Sequence, residues 1–108
     1  MRLRRGEVWW VQLDPARGAE IKKTRPCVIV SSNDANDRRL TVMVVPFSTS
    51  PNQHPPFSVN VHCAGKKVSA IVDQTRAVTR ERFLNREEIM LPEAVAAIER
   101  ALAILLEI

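Results

Sequence analysis

The sequence predicts a mainly β protein, built as a small, strongly bent antiparallel sheet or barrel with one C-terminal helix. Five or six short apolar or alternating runs cover residues 7–79, and segments rich in Pro, Gly, Asn and Asp separate them. Residues 91–108 instead repeat apolar side chains at helical spacing. A chain of 108 residues is long enough for a sizeable core and too short for two domains, so residues 1–108 are expected to form a single domain.

The first predicted strand covers residues 7–13. Alternation places Trp9, Val11 and Leu13 on one face, toward the core, and Trp10 on the other. A large aromatic side chain is costly to expose, so Trp10 is expected to pack against a partner subunit or another part of the chain. Stacking on a nucleic-acid base is the alternative.

The next two strands are predicted over residues 25–30 and 40–47, and the second is nearly all apolar and therefore central. Cap and turn formers fill residues 32–39 and predict a loop with about one helical turn. The charged segment 20–25 is expected to form a mobile loop over a site.

The second half of the chain continues the sheet. Residues 57–62 alternate cleanly and predict a strand with one solvated face, which carries His62. Residues 65–67 indicate a hairpin turn, and residues 68–74 a strand that continues over 76–79 after a kink. Residues 80–88 are polar, with Phe83 and Leu84 as the expected anchors.

The C-terminal segment predicts an amphipathic helix. Pro92 suits the first helical position, and Glu93 suits the positive end of the helix dipole. The predicted apolar stripe recurs at alternating spacings of four and three. It consists of Leu91, Val95, Ile98, Leu102 and Leu105.

Composition limits the function classes. No apolar run approaches the roughly 20 residues of a membrane span, and no signal-peptide pattern opens the chain, so a cytoplasmic protein is expected. The net charge of +4 favours a polyanionic partner. Cys27 and Cys63 are too few for a disulfide scaffold and lack metal-ligand spacing, so neither a metal nor a cofactor is predicted. Cys27 lies in an apolar run and is expected to be buried.

One pair of segments carries residues suited to phosphate chemistry. Arg25 begins the second predicted strand, and Ser48 and Thr49 follow the third. If these strands are antiparallel neighbours, the three side chains share one edge of the sheet. A guanidinium donates five N–H bonds that suit phosphate oxygens, and hydroxyls both donate and accept. The alternative is a solvated arginine beside an ordinary turn.

Several motifs, in order and spacing, resemble the MazF/PemK toxins, the ribonuclease halves of toxin–antitoxin pairs. They are RGEVWWV at 5–11, LDP at 13–15, GAE at 18–20, RP at 25–26, SND at 32–34, VPFST at 45–49 and VDQTR at 72–76. The resemblance covers nearly the whole chain. It implies an SH3-like barrel of the MazF/PemK and CcdB-like toxin fold, a homodimer, metal-independent cleavage of single-stranded RNA, and a cognate antitoxin that blocks the site.

The resemblance also implies roles for individual residues. Arg25 falls on the family's catalytic arginine, and Ser48 on a position usually held by threonine, with Thr49 next to it. Glu20 matches an acidic residue of the loop over the site, and Asp73 matches one reported at the site in some members. The implied RNA-binding residues are Trp10, Lys22, Lys23, Arg38, Gln74, Arg76 and Arg80. Residues 21–24 read IKKT where many members carry glycine, so the preferred RNA sequence is not predicted.

The implied chemistry needs no protein nucleophile, because RNA supplies its own 2′-hydroxyl. Arg25 would stabilise the five-coordinate phosphate, and Ser48 or Thr49 would hold a non-bridging oxygen. Glu20 or Asp73 would assist the 2′-hydroxyl, and the sequence does not choose between them. The expected products are a 2′,3′-cyclic phosphate and a 5′-hydroxyl, with mRNA as the expected target. The alternatives are a non-enzymatic toxin of the same fold that poisons DNA gyrase and a barrel that binds nucleic acid without cleaving it.

Overall fold

The protein was analysed as a computed structural model, and the structure describes residues 1–50 and 54–108. Within these residues, strands form one antiparallel sheet and a long helix ends the chain, which confirms the predicted fold class. The strands are β1 Glu7–Gln12, β2 Thr24–Ile29, β3 Thr41–Ser48, β4 Ser58–Cys63, β5 Lys66–Ile71, β6 Arg76–Thr79 and β7 Phe83–Ile89. The helices are α1 Asn33–Arg38 and α2 Pro92–Leu106.

The sheet follows the order β4-β5-β3-β2-β1-β7, and β6 pairs with β3 outside this path. Strand β3 changes partner along its length, since Thr41 to Val44 pair with β6 while Phe47 and Ser48 pair with β5. This change of partner makes the sheet fold over itself, as in a small barrel. It also separates the two ends of β3, because the end near Ser48 meets β5 rather than β6.

The central strands are buried on both faces. In β2, Val28 packs into one core while Cys27 and Ile29 pack into the other, because successive side chains of a strand point to opposite faces. The helix-side core consists of Val8, Val28, Val45, Phe47, Val61, Cys63, Ala70, Val72, Met90, Ile98 and Ala101. The barrel core consists of Leu3, Val11, Leu13, Cys27, Ile29, Val42, Val44, Val78 and Phe83.

Two cores explain the unbroken apolar runs of β2 and β3. The presence of two cores also changes which faces of β1 are buried. Val11 and Leu13 are buried in the barrel core as predicted, but Trp9 is only half-buried and Val8, on the other face, is fully buried. Both faces of β1 are therefore covered by protein.

Helix α2 confirms the predicted amphipathic helix, with Pro92 in its first turn. Ile98 is fully buried against the helix-side core, and Val95, Leu102 and Leu105 pack beside it. Leu91 lies outside the stripe, since it is 65% exposed and precedes the helix. This helix covers one face of the bent sheet, and the barrel core lies on the opposite face.

The structure differs from the sequence prediction in the polar segment 80–88. Strand β7 occupies most of it and pairs with β1 at the edge of the sheet. Only Phe83 is buried in this strand, so the segment carries no apolar alternation that would have revealed it. The hairpin turn also lies earlier than predicted, at Ala64 and Gly65, and Lys66 and Lys67 already belong to β5.

The kink predicted before residue 76 is present, whereas Leu40 lies outside the strand in which it was predicted. The predicted kink before residue 76 is a 3-10 turn, Val72–Gln74, which ends β5 and precedes β6. Leu40 is 83% exposed and lies just outside the strand predicted to contain it. Across the described ranges, no helix combines the length and apolar character needed to cross a membrane.

Candidate active site

A cleft of about 210 Å³ opens where β2 begins and β3 ends. Arg25, Ser48 and Thr49 line it, together with Trp10 on β1. Strands β2 and β3 are antiparallel neighbours, as the argument from the sequence required, and their register pairs Cys27 with Pro46. The same register continued by two residues sets Arg25 opposite Ser48. The structure therefore brings the guanidinium and both hydroxyls to one edge of the sheet.

The Arg25 side chain is half-buried and anchored at one point. Its Nε donates a hydrogen bond of 2.9 Å to the carbonyl oxygen of Lys22. Within residues 1–50 and 54–108, neither of its Nη atoms has a hydrogen-bond partner. The bond from Nε fixes the plane of the guanidinium, and the Nη end stays available for a bidentate contact with an anion.

The Ser48 hydroxyl is oriented by the chain that follows it. Its Oγ accepts a hydrogen bond of 3.1 Å from the backbone N–H of Ser50. Because the oxygen accepts this bond, its own proton can donate to a ligand. Ser48 is half-buried and Thr49 is exposed, so the two neighbouring hydroxyls differ in their surroundings.

Trp10 forms one wall of the cleft. The indole Nε1 donates a hydrogen bond of 2.8 Å to the Glu87 carboxylate on β7, and Trp10 pairs with Pro26 across the β1–β2 ladder. Its packing is thus within the chain, one of the expected arrangements. The half-buried ring lies at the same cleft as Arg25, where an aromatic face could meet a base.

The loop between β1 and β2 is tied to the body of the protein at both ends. Leu13 donates its backbone N–H to Lys23 at 2.9 Å, and Ile21 donates to the Gln74 side-chain oxygen at 3.3 Å. Arg76 donates to the Leu13 carbonyl at 3.2 Å. Gln74 and Arg76 therefore support the loop that presents the Lys22 carbonyl to Arg25. The side chains of Lys22 and Lys23 are exposed on this loop.

The two candidate carboxylates do not line the cleft. Glu20 is exposed, and its carboxylate accepts a hydrogen bond of 2.6 Å from the backbone N–H of Arg17 in the same loop. Asp73 is exposed on the 3-10 turn between β5 and β6. Neither acid is among the residues that line the cleft at Arg25.

Arg38 and Arg80 lie at the far end of β3. Arg80 donates to the carbonyl oxygens of Asn36 and Met1 at 2.7 and 2.8 Å, and Arg38 forms an exposed ion pair with Asp34 at 2.9 Å. At about 3.3 Å per residue, the start of β3 lies roughly 23 Å from its end. The structure does not bring these two arginines to the cleft.

A second polar cleft of about 270 Å³ adjoins the first. The two clefts share Ser48, Thr49 and Val68, and the second is also lined by Asn60, Lys67 and Ser69. These last three residues were missed in the sequence because they lie on β4 and β5, and neither the pairing of β5 with β3 nor that of β4 with β5 follows from a local pattern. Only the sequence alternation of β4, which placed Asn60 on the polar face, was a signal.

A third cleft, larger than these two, has different chemistry. It measures about 520 Å³ and lies between β4, the end of β7 and the start of α2. Apolar side chains line most of it, and its carboxylates, Glu88 and Glu93, repel a phosphate backbone. The cationic group needed for phosphate chemistry is found instead in the smaller cleft at Arg25.

Neither cysteine has the character of a nucleophile. Burial raises the pKa of the Cys27 thiol to about 12, although the nearby Arg25 and Arg76 guanidinium groups act in the opposite direction. Burial, together with the nearby Glu88 and Glu87 carboxylates, raises the pKa of Cys63 to about 11. Among the side chains of residues 1–50 and 54–108, no group of three or more His, Cys, Asp or Glu is arranged to hold a metal ion.

Residues 4–106 match the family of PemK-like, MazF-like toxins of type II toxin–antitoxin systems, and the chain belongs to that family. It is 34% identical over 115 residues to Endoribonuclease MazF9 of Mycobacterium tuberculosis, with 98% of each chain covered. The match confirms the predicted class of toxin. It gives no support to the alternative of a gyrase-binding toxin.

Solved structures of low identity confirm the fold. MazF from Deinococcus radiodurans superposes with a TM-score of 0.89 at 20% identity, covering 100% of this chain and 99% of that one. A mycobacterial endoribonuclease in complex with its cognate antitoxin superposes with a TM-score of 0.81 at 21% identity, covering 97% and 95%. The bent sheet with its C-terminal helix is therefore the toxin fold that the sequence motifs implied.

Proposed function

We propose that this protein is the endoribonuclease toxin of a type II toxin–antitoxin pair and cleaves single-stranded RNA at the Arg25 cleft. One observation carries the proposal. A guanidinium fixed through its Nε lines one cleft with an oriented serine hydroxyl, and within residues 1–50 and 54–108 its Nη atoms have no hydrogen-bond partner. Membership of the toxin family and the endoribonuclease name of the relative support the same activity.

In the proposed reaction, the RNA 2′-oxygen forms a bond to phosphorus and the bond from phosphorus to the 5′-oxygen breaks. Negative charge accumulates on the non-bridging oxygens of the five-coordinate phosphate. The two Nη atoms of Arg25 stabilise that charge bidentately, and the Ser48 or Thr49 hydroxyl donates to one of the same oxygens. The 2′-hydroxyl loses its proton, and the leaving 5′-oxygen gains one. The products are a 2′,3′-cyclic phosphate and a 5′-hydroxyl.

Glu20 and Asp73 are the proposed acceptors for the proton of the 2′-hydroxyl. Glu20 would first have to leave the Arg17 amide, which its carboxylate binds in this structure. Comparing Glu20→Gln with Asp73→Asn identifies the base, because loss of a general base lowers the rate by about 10²–10⁴. If both variants keep normal single-turnover rates, neither acid is the base.

RNA binding is proposed to use the groups around the cleft. The Trp10 ring offers a stacking face, and the exposed Lys22 and Lys23 would meet neighbouring phosphates. Affinity for RNA should then fall steeply as salt rises, because each neutralised phosphate releases counterions. Binding that is insensitive to salt would remove the two lysines from the proposal.

The test of the function uses purified protein and single-stranded RNA in the presence of EDTA. Cleavage should persist, and the new ends should be a 2′,3′-cyclic phosphate and a 5′-hydroxyl. Products with 3′-hydroxyl ends would contradict the mechanism. No cleavage of any RNA would contradict the activity, and inhibition of DNA gyrase by the same preparation would favour the non-enzymatic toxin.

The proposed partners are mRNA, an acidic cognate antitoxin and a second copy of the chain. A solved relative is a complex with its cognate antitoxin, and an acidic segment could cover the basic cleft. Several large apolar side chains are exposed near α2, as expected if a partner covers them. These are Ile89, Leu91, Ile104, Leu106 and Ile108.

Light scattering tests the assembly, and we expect twice the mass of one chain. A strictly monomeric protein that still cleaves RNA would contradict the homodimer. The protein is proposed to act in the cytoplasm as one domain over residues 1–108. Fractionation of cells that express the chain checks this location.

A further inference from the structure

We propose that Asn60, Ser69 and Lys67 form a nucleotide subsite beside the catalytic cleft, in which Asn60 reads the hydrogen-bond acceptors of one base. The inference rests on the proposed function, because it concerns the RNA that Arg25 would cleave. It assigns base recognition to Asn60, with Ser69 orienting it, and phosphate binding to Lys67, three residues on β4 and β5 that the sequence motifs did not indicate.

The first argument is the register of the strands. Ser48 on β3 pairs directly with Ser69 on β5, and Ser69 pairs directly with Asn60 on β4. The neighbouring residues Phe47 and Ala70 are in the helix-side core, so the alternation of strands places this polar row on the opposite face of the sheet. The row begins at the proposed catalytic hydroxyl and runs away from Arg25.

The second argument is the orientation of the Asn60 amide. Ser69 is only 4% exposed, and its hydroxyl donates a hydrogen bond of 3.1 Å to the Asn60 side-chain oxygen. Asn60 lines this cleft, and with its oxygen bound to Ser69 the NH₂ group is the end that it can offer to a ligand. In the described part of the chain, that group has no hydrogen-bond partner. A fixed pair of donors suits the acceptor edge of a base.

The third argument is the shape of the cleft. Its volume of about 270 Å³ lies just below the range of about 300–1,000 Å³ found for small-molecule pockets, so it suits a fragment such as one base. It shares Ser48, Thr49 and Val68 with the catalytic cleft. A nucleotide joined to the scissile phosphate would therefore reach it without leaving the surface.

Lys67 supplies the charge of this subsite. It is exposed, lines the cleft and lies on β5 two residues from Ser69. Its ammonium carries no sequence information but can neutralise the phosphate that follows the base. Lys66 is its natural control, because it is also exposed but does not line this cleft.

The test maps cleavage sites in a pool of RNA with randomised positions around the scissile bond. Asn60→Ala should reduce the preference at one position by about tenfold, the effect of losing a hydrogen bond of about 1.4 kcal/mol, and leave the other positions unchanged. Asn60→Asp keeps the oxygen that Ser69 binds and replaces the donors with an acceptor. It should shift the preference at that position toward bases that present amino groups.

Two controls separate this effect from a general loss of activity. Lys67→Ala should lower kcat/KM equally for all sequences and reduce the salt dependence of binding by about one phosphate, whereas Lys66→Ala should do neither. His62→Ala alters an exposed residue of the same strand that does not line this cleft, so it should leave the cleavage profile unchanged.

The outcomes distinguish this inference from the proposed function. A wild-type protein that cleaves no RNA overturns both. A wild-type protein that cleaves RNA, while Asn60→Ala and Asn60→Asp keep its full sequence profile, overturns only the subsite. Binding of an RNA with a 2′-deoxy nucleotide at the cleavage site repeats the comparison without catalysis. Equal selectivity of wild-type and both Asn60 variants in that assay also overturns the subsite.

Discussion

An arginine lies beside each end of β3. The two residues look alike in the sequence but differ in the contacts that they make in the structure. At one end, Arg25 binds a single carbonyl oxygen through Nε, and its Nη atoms face a cleft. At the other end, Arg80 directs both Nη atoms at the carbonyl oxygens of Asn36 and Met1. Arg25 retains donors for a ligand, whereas Arg80 joins the N-terminus and α1 to the sheet.

This difference shows what marks a functional arginine. Arg25 and Arg80 carry the same charge and both lie beside strands, so neither property separates them. Arg25 differs from Arg80 in two respects: it lines a cleft, and among the described residues its Nη donors have no partner. Arg76 and Arg86 are intermediate, because each binds the chain through Nη1, to the Leu13 carbonyl and the Glu7 carboxylate respectively.

The largest expected effect is at Arg25. Arg25→Ala should lower the single-turnover cleavage rate by about 10²–10³, the cost of removing one preorganised donor to the transition state. Arg25→Lys should also be impaired, because an ammonium cannot reproduce the planar fork. Both variants should unfold at the same urea concentration as wild-type. Arg17→Ala is the control in the neighbouring loop, and near-normal turnover in either Arg25 variant would exclude Arg25 from the mechanism.

The structural role of Arg86 can be tested through its partner, the Glu7 carboxylate. This carboxylate is 6% exposed, and burial raises its pKa, but hydrogen bonds from Trp9, the Arg4 backbone and Arg86 outweigh burial and lower the pKa below its ordinary value. Glu7→Gln should reduce the free energy of unfolding by about 2 kcal/mol near neutral pH. Arg86 acts both as a hydrogen-bond donor and as a charge, and solvent screens its contribution because that side chain is 52% exposed.

The pH dependence of the same variant has a definite sign. A lowered folded pKa means that ionised Glu7 stabilises the protein above the unfolded pKa, and this stabilisation is lost as pH falls through the folded pKa. Urea unfolding of wild-type and Glu7→Gln should therefore converge in acid. Glu99→Gln, which alters a 53% exposed partner of Arg5, is the control with a small effect. A stability difference that persists unchanged in acid would contradict the role assigned to the ionised carboxylate.

Arg80 and Arg38 provide a matched pair at the far end of β3. Arg80→Ala should reduce the free energy of unfolding by about 1.5 kcal/mol, because two charged hydrogen bonds to carbonyl oxygens are lost. Arg38→Ala removes an ion pair with 75% exposed side chains and should change it by less than about 0.5 kcal/mol. The cleavage rate of the folded protein should be unchanged in both. A rate loss with normal stability in Arg80→Ala would place Arg80 with Arg25 instead.

A further comparison separates the two hydroxyls of the candidate site. Ser48→Ala should lower the single-turnover rate about tenfold, close to the value of one hydrogen bond. Thr49→Ala should cost less, because Ser48 is half-buried and lies opposite Arg25 in the continued register, whereas Thr49 is exposed and follows the strand. The reverse order of rates would show that Thr49 is the active hydroxyl.

Much of the fold was predictable because it depends on local patterns. The apolar runs of β2 and β3, the clean alternation of β4 and the helical spacing of α2 are each visible within a few residues. Strand β7 was not predictable in this way. It is an edge strand whose only buried residue is Phe83, so its place depends on hydrogen bonds to β1 rather than on apolar side chains.

Some residues of the candidate site were likewise predictable from the sequence and others were not. Arg25 and Ser48 could be paired from sequence, since they flank two apolar runs that antiparallel pairing brings together. The neighbouring Asn60 and Ser69 could not, because their approach to Ser48 needs the register of β3 with β5 and of β5 with β4. A shift of one residue in either pairing would turn these side chains to the other face.

The sequence by itself determined the class of fold, the toxin family and the edge of the sheet that carries Arg25 and Ser48. Periodicity, strand-flanking residues and ordered motifs are local properties, and they survive without knowledge of distant contacts. Only the tertiary structure decided which arginine donors have partners among the described residues and which acids do not line the cleft. Those outcomes depend on which backbone carbonyls and amides fold against each side chain, as the Arg25 contact with Lys22 and the Glu20 contact with Arg17 show.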